Sequence, residues 1–503
     1  MERIGLIDLG SNTARLTIYD VYEGGYFVTV DETKEQTKLG DTEKDGNLKQ
    51  TRVLQAISTI KSFKKVCAVY NVDKIIPFTT AAVRNAKNQK SFLNDVFSAT
   101  GLRFQVLSEE EETMHDYHGV INSIEVPKGV ICEIGGGSIK LVQYNRRNVM
   151  NKTVLPFGAV TLAGLFVKDD VKPEVACLQI EEYVKEKLSM IDWLSTLEPD
   201  YQLVGVGGSI RSLARIVRKI RRYPLEMVHN YRIEKEDFDY VYNMIKPFDL
   251  EKASKIKGLS SARADVFPCA MAALKAFIDY CSFGIICCCG SGIREGIMYN
   301  YAHPITIEKP IVDVLGYSIQ TKIRQWNIDG EHAEQVFGLC IQLFKQLRVL
   351  HKFPRAYVRV LRIASMLYEA GRQVKYYDYP RHTSYMLLRS NLQGVSHSDI
   401  VLAAYVCNVF SKEDFSYTDW SKFNSMLTPE DIEAVNKLSV MLQLAVAFDI
   451  SRKRVIKEIN CDVLGDSVIL KTETDGDSSL EIREANRYTL DFKRVFKKNL
   501  EIL

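Results

Sequence analysis

The sequence predicts an α/β protein with a duplicated core, followed by a largely helical region and a small strand-bearing end. Strand-like and helix-like segments alternate up to about residue 305, which is typical of an α/β domain. A unit of strand, glycine turn and strand occurs twice in this part, at residues 4–19 and 130–144. Beyond it, apolar residues recur at helical spacing.

The first unit is predicted to be a hairpin, because apolar residues at 4–7 and 16–18 flank a mostly polar tip at 8–13. A helix over 53–70 and a strand over 74–79 follow. This order of elements extends the hairpin into an α/β lobe.

The second unit repeats the first. In each, an acid stands one residue ahead of an apolar residue and a glycine turn, at Asp8 and at Glu133. Two further glycine turns end the strand-like segments 203–206 and 285–289, and a helix is predicted over 210–220. The repetition indicates a duplicated core.

The remaining chain divides into a helical part and a short strand-bearing part. Helical patterning covers 332–347, 358–370, 400–410 and 429–448, and alternation returns near 466–470. We therefore expect two α/β lobes at 1–123 and 124–305, a helical domain at 306–455 and a small α+β cap at 456–503.

Composition narrows the class of protein. The 503 residues are 46% hydrophobic and 26% charged, as in a chain that folds throughout, and a net charge of +3 does not favour nucleic-acid binding. We expect no membrane span and no signal peptide, because long uncharged apolar runs are missing from the sequence. Eleven cysteines without a CxxC pair indicate buried thiols in a reducing cytoplasm.

Glycine loops between strands are candidate phosphate sites, because their backbone N–H groups can surround phosphate oxygens. A single glycine turn usually only reverses the chain, so the hypothesis depends on several loops occurring together. An acid ahead of such a loop is a candidate Mg²⁺ ligand, which suits Asp8 and, as a second carboxylate, Glu133. A hydrogen bond from the turn's own backbone is the alternative role for either acid.

A run of four acids at 109–112 follows Ser108 and predicts the start of a capped helix. Hydrolysis of a phosphoanhydride needs a water molecule oriented by a carboxylate. One acid of this run is therefore a candidate for that role, while the others face solvent.

Two blocks, at residues 7–16 and 79–88, resemble the exopolyphosphatase and guanosine pentaphosphate phosphohydrolase (Ppx/GppA) family, and the resemblance spans nearly the whole chain. It implies an actin-like two-lobed core, of the sugar kinase, Hsp70 and actin superfold, followed by an HD-like helical domain. It also implies that Glu112 is the catalytic base and that Mg²⁺ binds to Asp8 and Glu133. The phosphate-binding residues that it and the loops indicate are Gly10, Ser11, Asn12, Thr13, Arg84, Gly135, Gly136, Gly137, Ser138, Gly207, Gly208, Ser209 and Arg263.

The chain departs from the family pattern at two places. The family usually has aspartate where this chain has Glu133, and a Thr-Glu pair where it has Ile139 and Lys140. A lysine in place of a pocket acid reverses a charge. The reversal is expected to change either the requirement for a metal or the identity of the substrate. Direct binding of a polyanion, or a solvent-facing position, are the other interpretations of Lys140.

The helical part lacks the His-Asp pair of a metal-dependent HD domain, since residues 367–371 read Leu-Tyr-Glu-Ala-Gly. His332, His382 and Asp449 lie where other HD ligands would. Because the His-Asp pair is missing, the domain is nevertheless interpreted as structural and substrate-holding. Eight cationic residues in this part either bind a polyphosphate chain along its length or lie on a solvated helix face. They are Lys352, Arg355, Arg359, Arg362, Arg372, Lys375, Arg381 and Arg389.

The sequence thus predicts an exopolyphosphatase that releases orthophosphate from inorganic polyphosphate. Guanosine pentaphosphate is the alternative substrate, and a non-catalytic regulatory protein that binds polyphosphate or nucleotide is the alternative class. A kinase on the shared superfold is disfavoured by the blocks around Arg84 and Glu112. A homodimer is the default expectation.

Overall fold

The computed structural model describes residues 1–248, 250–260, 263–303, 311–409 and 421–503. The chain divides into two compact units. The first comprises Met1–Arg222 with Val228–Val314, and the second Tyr223–Met227 with Leu315–Leu503. The finer boundaries at 123, 305 and 455 remain predictions.

The first unit begins with a five-stranded sheet in the order β3-β2-β1-β4-β5. Its strands are β1 (Glu2–Leu9), β2 (Thr13–Val21), β3 (Phe27–Gln36), β4 (Lys74–Thr79) and β5 (Gln105–Val106). The helices between them are α1 (Gln50–Val69), α2 (Ala81–Arg84) and α3 (Gln89–Thr100). Strands β1 to β3 are antiparallel, whereas β4 runs parallel to both β1 and β5.

A six-stranded sheet follows, in the order β10-β11-β9-β6-β7-β8. Its strands are β6 (Lys128–Ile134), β7 (Ile139–Asn145), β8 (Asn148–Leu155), β9 (Gln202–Val206), β10 (Tyr231–Glu234) and β11 (Ile285–Cys288). The helices of this part are α4 (Glu109–Ile121), α5 (Ala159–Phe166), α6 (Pro173–Ser189), α7 (Asp192–Ser195), α8 (Gly207–Ile220), α9 (Lys235–Ile245), α10 (Leu250–Ser254), α11 (Phe267–Cys281) and α12 (Ile293–Ala302).

The second sheet repeats the first, as the sequence predicts. Strands β6, β7 and β8 form an antiparallel meander, and β9 lies parallel to β6 as β4 lies parallel to β1. The register repeats too, because Asp8 is opposite Arg15 in the first hairpin and Glu133 is opposite Lys140 in the second. Each hairpin therefore places an acid and a base side by side on one face.

Helices α4 and α12 cross almost backbone to backbone. A methyl group on Gly119 of α4 would overlap the carbonyl oxygen of Gly292, and one on Gly296 of α12 would overlap that of His115. Only glycine allows two helix backbones to approach so closely. The crossing fixes the position of α4, which carries the acidic run.

The cysteines agree with the expectation of buried thiols. All eleven are free, and nine are buried. Burial raises the pKa of the Cys287 thiol to about 12 and that of Cys67 to about 11. Thiols with such pKa values remain protonated at neutral pH.

The second unit is mainly helical and ends in a small sheet. Its helices are Val314–Gln325, Gly330–Gln346, Arg348–His351, Tyr357–Leu367, Tyr379–Leu388, His397–Val409, Pro429–Ala447, Ser479–Ala485 and Thr489–Phe496. Strands β12 (Ile456–Leu464), β13 (Ser467–Thr474) and β14 (Asn499–Ile502) form the sheet. The predicted helices and the strand near 466–470 are confirmed, except that residue 410 lies outside the described residues.

Within the described ranges, no helix is both long enough and apolar enough to span a lipid bilayer.

We expect Gly296→Ala to lower the free energy of unfolding by about 3 kcal/mol or more, because the new methyl group overlaps a backbone carbonyl that cannot move aside. Urea unfolding followed by circular dichroism measures this loss. Gly164→Ala is the matched control, since Gly164 is an exposed helical glycine with no atom within 4 Å of the added methyl group. An equal loss in both variants would contradict the packing argument.

Candidate active site

The first two glycine loops adopt the same turn. The N–H of Gly10 donates to the carbonyl of Thr13 over 3.1 Å, and the N–H of Gly135 donates to that of Ser138 over 2.9 Å. Ser11 and Asn12 of one loop and Gly136 and Gly137 of the other line a single cavity of about 570 Å³. The structure thus brings two of the predicted phosphate loops to one space.

The third glycine loop is the first turn of a helix rather than a separate loop. Helix α8 begins at Gly207, which has a φ of +93° that favours glycine. At Gly208 a methyl group would overlap the guanidinium of Arg263, so these two predicted residues are in close contact. Ser209 is buried, and this group of residues does not line the cavity.

The acidic run begins α4 with a capping box. The N–H of Glu111 donates to the hydroxyl of Ser108 over 3.1 Å, and the N–H of Ser108 donates to the Glu111 carboxylate over 2.8 Å. Glu109, Glu110 and Glu111 are exposed, as expected for a solvated helix start. Glu112 instead turns inward, with only 12% of its side chain exposed.

The Glu112 carboxylate binds one cation on each oxygen. Lys140 Nζ donates to Oε1 over 2.7 Å, and a guanidinium nitrogen of Arg84 donates to Oε2 over 3.0 Å. Arg84 also donates to the carbonyl of Leu107 over 2.8 Å. Arg84, a predicted phosphate ligand, is therefore a neighbour of the predicted base.

Lys140 is the centre of a buried ionic cluster. Its ammonium lies 2.7 Å from Glu112, 3.0 Å from Asp116 and 3.4 Å from Glu133, and only 4% of its side chain is exposed. Asp116 was not identified from the sequence. Its position four residues after Glu112, on the same helical face, is the signal that would have found it.

Burial and like charge raise the pKa values of Glu133 and Asp8. Burial raises the pKa of Glu133 to about 7, with Lys140 opposing the rise and Asp116 and Glu112 adding to it. Burial raises the pKa of Asp8 to about 6, opposed by Arg294 and Arg15. For Lys140, burial alone would favour the neutral amine, but the three carboxylates hold its pKa well above the ordinary value.

The arrangement does not fit a divalent ion on Glu133. The Oε2 atom of Glu133 is buried and accepts no hydrogen bond, and it forms its ion pair with Lys140. No cluster of three or more His, Cys, Asp or Glu side chains suited to a metal occurs among the residues that the structure describes. Asp8 remains a candidate ligand, while Glu133, the predicted second ligand, is paired with Lys140.

Half-buried arginines near the third loop place several positive charges close together. Burial, with repulsion from Arg211 and Arg15, lowers the pKa of Arg263 to about 10. Arg211 is likewise lowered in pKa by burial and by repulsion from Arg294 and Arg15. Such mutual repulsion is typical of a site that binds an anion.

Glu32 on β3 compensates part of this charge. It accepts hydrogen bonds of 2.6 Å from both Arg15 and Arg294, and Arg294 also donates to Thr17 over 2.8 Å. Arg15, Arg211 and Arg294 were not among the predicted site residues, although Arg15 lies inside the block at residues 7–16.

The HD-like positions of the second unit hold a hydrogen-bonded network. Both ring nitrogens of His332 are engaged, with Asp449 at 2.6 Å and the Tyr368 hydroxyl at 2.6 Å. Glu369 accepts from Tyr368 over 3.1 Å and from Arg452 over 2.6 Å. Because both ring nitrogens are hydrogen-bonded within the protein, neither is free to bind a metal, whereas His382 lies half-buried on another helix.

Several of the eight cations in this region form ion pairs. Arg372 pairs with Glu369 at 2.8 Å, Arg389 with Glu226 at 2.5 Å and Arg359 with Asp399 at 3.5 Å. These pairs suit the interpretation as a solvated surface, and a role in tracking polyphosphate remains a prediction.

Comparison with known proteins identifies relatives of both units. The Ppx/GppA phosphatase family model matches residues 17–304, and the model of domain III of Ppx/GppA phosphatases matches residues 316–500. The Guanosine-5'-triphosphate,3'-diphosphate pyrophosphatase of Aeromonas hydrophila subsp. hydrophila is 22% identical over 453 residues, 88% of this chain and 87% of that protein.

A second curated relative is similar over the first part of the chain. The Bifunctional 3-dehydroquinate synthase/phosphatase of Fusobacterium nucleatum subsp. nucleatum is 27% identical over 288 residues, 54% of this chain but only 43% of that protein. Among solved structures, the Ppx/GppA family member of Aquifex aeolicus is 25% identical with a TM-score of 0.53, and covers 62% of this chain and 99% of its own.

We expect Ser108→Ala to destabilise the protein by about 1 kcal/mol, because the N–H of Glu111 loses its acceptor at the start of α4. Thermal unfolding measures the change. Ser478→Ala is the matched control, since Ser478 precedes a helix without a side-chain capping bond. The cap has no energetic role at α4 if the two variants unfold at the same temperature.

Proposed function

The chain belongs to the Ppx/GppA phosphatase family, and we propose that it is an exopolyphosphatase, which removes the terminal phosphate of inorganic polyphosphate and releases orthophosphate. The family makes it a phosphoanhydride hydrolase. The observation that supports the proposal most is Glu112, an inward-facing carboxylate held by two cations, one of which also pairs with Glu133 ahead of the second glycine loop.

The binding of a polyanion is supported by the arginines. Arg211 and Arg263 are half-buried cations that repel one another, and an anionic ligand would relieve that repulsion. In our proposal the N–H groups of the loops at 10–13 and 135–138 hold the terminal phosphate, and Arg84 contacts it at the edge of the carboxylate cluster.

Glu112 is proposed to position the attacking water. A carboxylate has about four lone-pair positions, and the two hydrogen bonds from Lys140 and Arg84 leave room to accept one from water. The water oxygen forms a bond to the terminal phosphorus, and the bridging P–O bond breaks with its electron pair on the shortened chain. A water proton passes to Glu112, and because the transition state is loose, positioning supplies much of the acceleration.

Mg²⁺ remains a prediction from the family resemblance. When bound, such an ion neutralises charge on the phosphates. Since Glu133 is paired with Lys140, no step of the proposed reaction depends on an ion there. The HD-like character of the second unit, the cytoplasmic location and the homodimer also remain predictions.

Guanosine pentaphosphate is the second candidate substrate, and the cavity lining favours it. Beside the loops, the lining includes the small apolar side chains of Ala81, Ala82 and Val160 and the amide of Asn85, with Lys38 as its cation. Such walls suit a nucleoside better than a chain of phosphates. The relative from Aeromonas hydrophila carries the name of a nucleotide pyrophosphatase.

We expect Glu112→Gln to lower kcat for orthophosphate release by about 10²- to 10⁴-fold, because the amide cannot accept a proton from the attacking water. Polyphosphate binding should be almost unchanged. Glu110→Gln is the matched control, since Glu110 belongs to the same acidic run but is exposed and paired with Lys152. Full activity of Glu112→Gln would refute the assignment.

Separate assays of orthophosphate release from long-chain polyphosphate and from guanosine pentaphosphate rank the two substrates. Faster release from polyphosphate supports the first proposal, and faster release from the nucleotide supports the second. Binding of either compound without release would favour the regulatory alternative.

A further inference from the structure

We infer that Lys140 is a positioning residue that takes the place of a divalent ion. Its ammonium orients Glu112 and pairs with Glu133, so this chain binds no divalent ion between those two carboxylates. The inference concerns the site of the proposed hydrolase and deepens that proposed function.

The position of Lys140 is set by the backbone. Glu133 is the penultimate residue of β6 and lies directly opposite Lys140, the second residue of β7, so their side chains leave the same face of the hairpin. Helix α4 brings Glu112 and Asp116 to that face from the other side. The lysine therefore enters a space that three carboxylates share, and only 4% of its side chain reaches solvent.

The equivalent hairpin of the first sheet supports this assignment. Asp8 and Arg15 occupy the same two register positions as Glu133 and Lys140. The duplicated fold thus places a base opposite the acid in both halves. Arg15 binds outward to Glu32 at 2.6 Å, whereas Lys140 binds inward to the carboxylates. The inward ammonium is the feature that distinguishes the second hairpin.

The charges of the cluster explain why a cation is required there. Three largely buried carboxylates at this spacing repel one another, and a buried acid without a counter-charge favours its neutral form. One ammonium within 3.4 Å of all three supplies that counter-charge. Unlike a metal ion, it is covalently attached and needs no loading from solution.

The ammonium also excludes a metal from the same space. Mg²⁺ binds oxygen ligands at about 2.1 Å and requires near-octahedral room for them. A doubly charged ion on the inward oxygens of Glu112 or Glu133 would lie against Lys140, and the two cations would repel. The chain therefore keeps the carboxylate that orients water while losing the site for a divalent ion.

A charge-balanced variant tests the inference. Asp116→Asn combined with Lys140→Met removes one anion and one cation, so the net charge of the cluster stays the same and the space between Glu112 and Glu133 opens. Binding of Mn²⁺, an ion that prefers oxygen ligands, is measured by electron paramagnetic resonance without substrate. Lys152→Met is the control, since Lys152 is an exposed lysine on the next strand.

We expect no Mn²⁺ site on the wild-type chain that depends on Glu133, and a gain in Mn²⁺ affinity of about tenfold or more in the double variant. The control should bind Mn²⁺ as the wild type does. The inference is overturned if the folded double variant gains no site, or if the wild type binds Mn²⁺ at a site that Glu133→Gln removes. If the double variant does not fold, the Mn²⁺ titration of the wild type and of Glu133→Gln still tests whether a metal binds at Glu133.

The Mn²⁺ titration needs no turnover, so it separates this inference from the proposed function. Absence of orthophosphate release from both substrates would refute the hydrolase, and the titration would still show whether Lys140 holds the place of the ion. Orthophosphate release with a metal site on wild-type Glu133 would support the hydrolase and refute the role of Lys140.

Discussion

The contact between Lys140 and the three carboxylates around it is the interaction on which the site depends. It joins β7, β6 and α4, three consecutive elements of the chain, through one ammonium with 4% exposure. Breaking a buried ion pair by removing one partner is costly, because the other partner keeps its charge without compensation. The cluster therefore fixes both the orientation of Glu112 and the angle at which α4 meets the second sheet.

The two copies of the hairpin surround their acids, Asp8 and Glu133, with different charged side chains. In the first half the base opposite the acid turns outward to Glu32, and the acid Asp8 is left near Arg294 and Arg15. In the second half the base turns inward. The two glycine loops nevertheless keep the same turn, so the backbone donors are symmetric while the side-chain charges differ.

Much of the fold could be predicted from sequence because its signals are local. Strand alternation and glycine turns identified both hairpins, and the acidic run with Ser108 identified the start of α4. The start of α8 was predicted three residues late, because glycine has a low helix propensity and hid the first turn at Gly207. Asp116 was missed since its contact with Lys140 spans 24 residues and depends on how a helix faces a strand. Nor could the sequence reveal that Tyr368 binds His332, because that contact depends on helix packing.

The state of the cysteines has a practical consequence for labelling. The pKa of every one of the eleven thiols is raised by burial, so the thiolate that reacts with maleimides and with peroxides is scarce at neutral pH. A single cysteine introduced on the surface would react first, with the native residues left in place. Fluorophores for distance measurements could therefore be attached to this chain without first preparing a cysteine-free background.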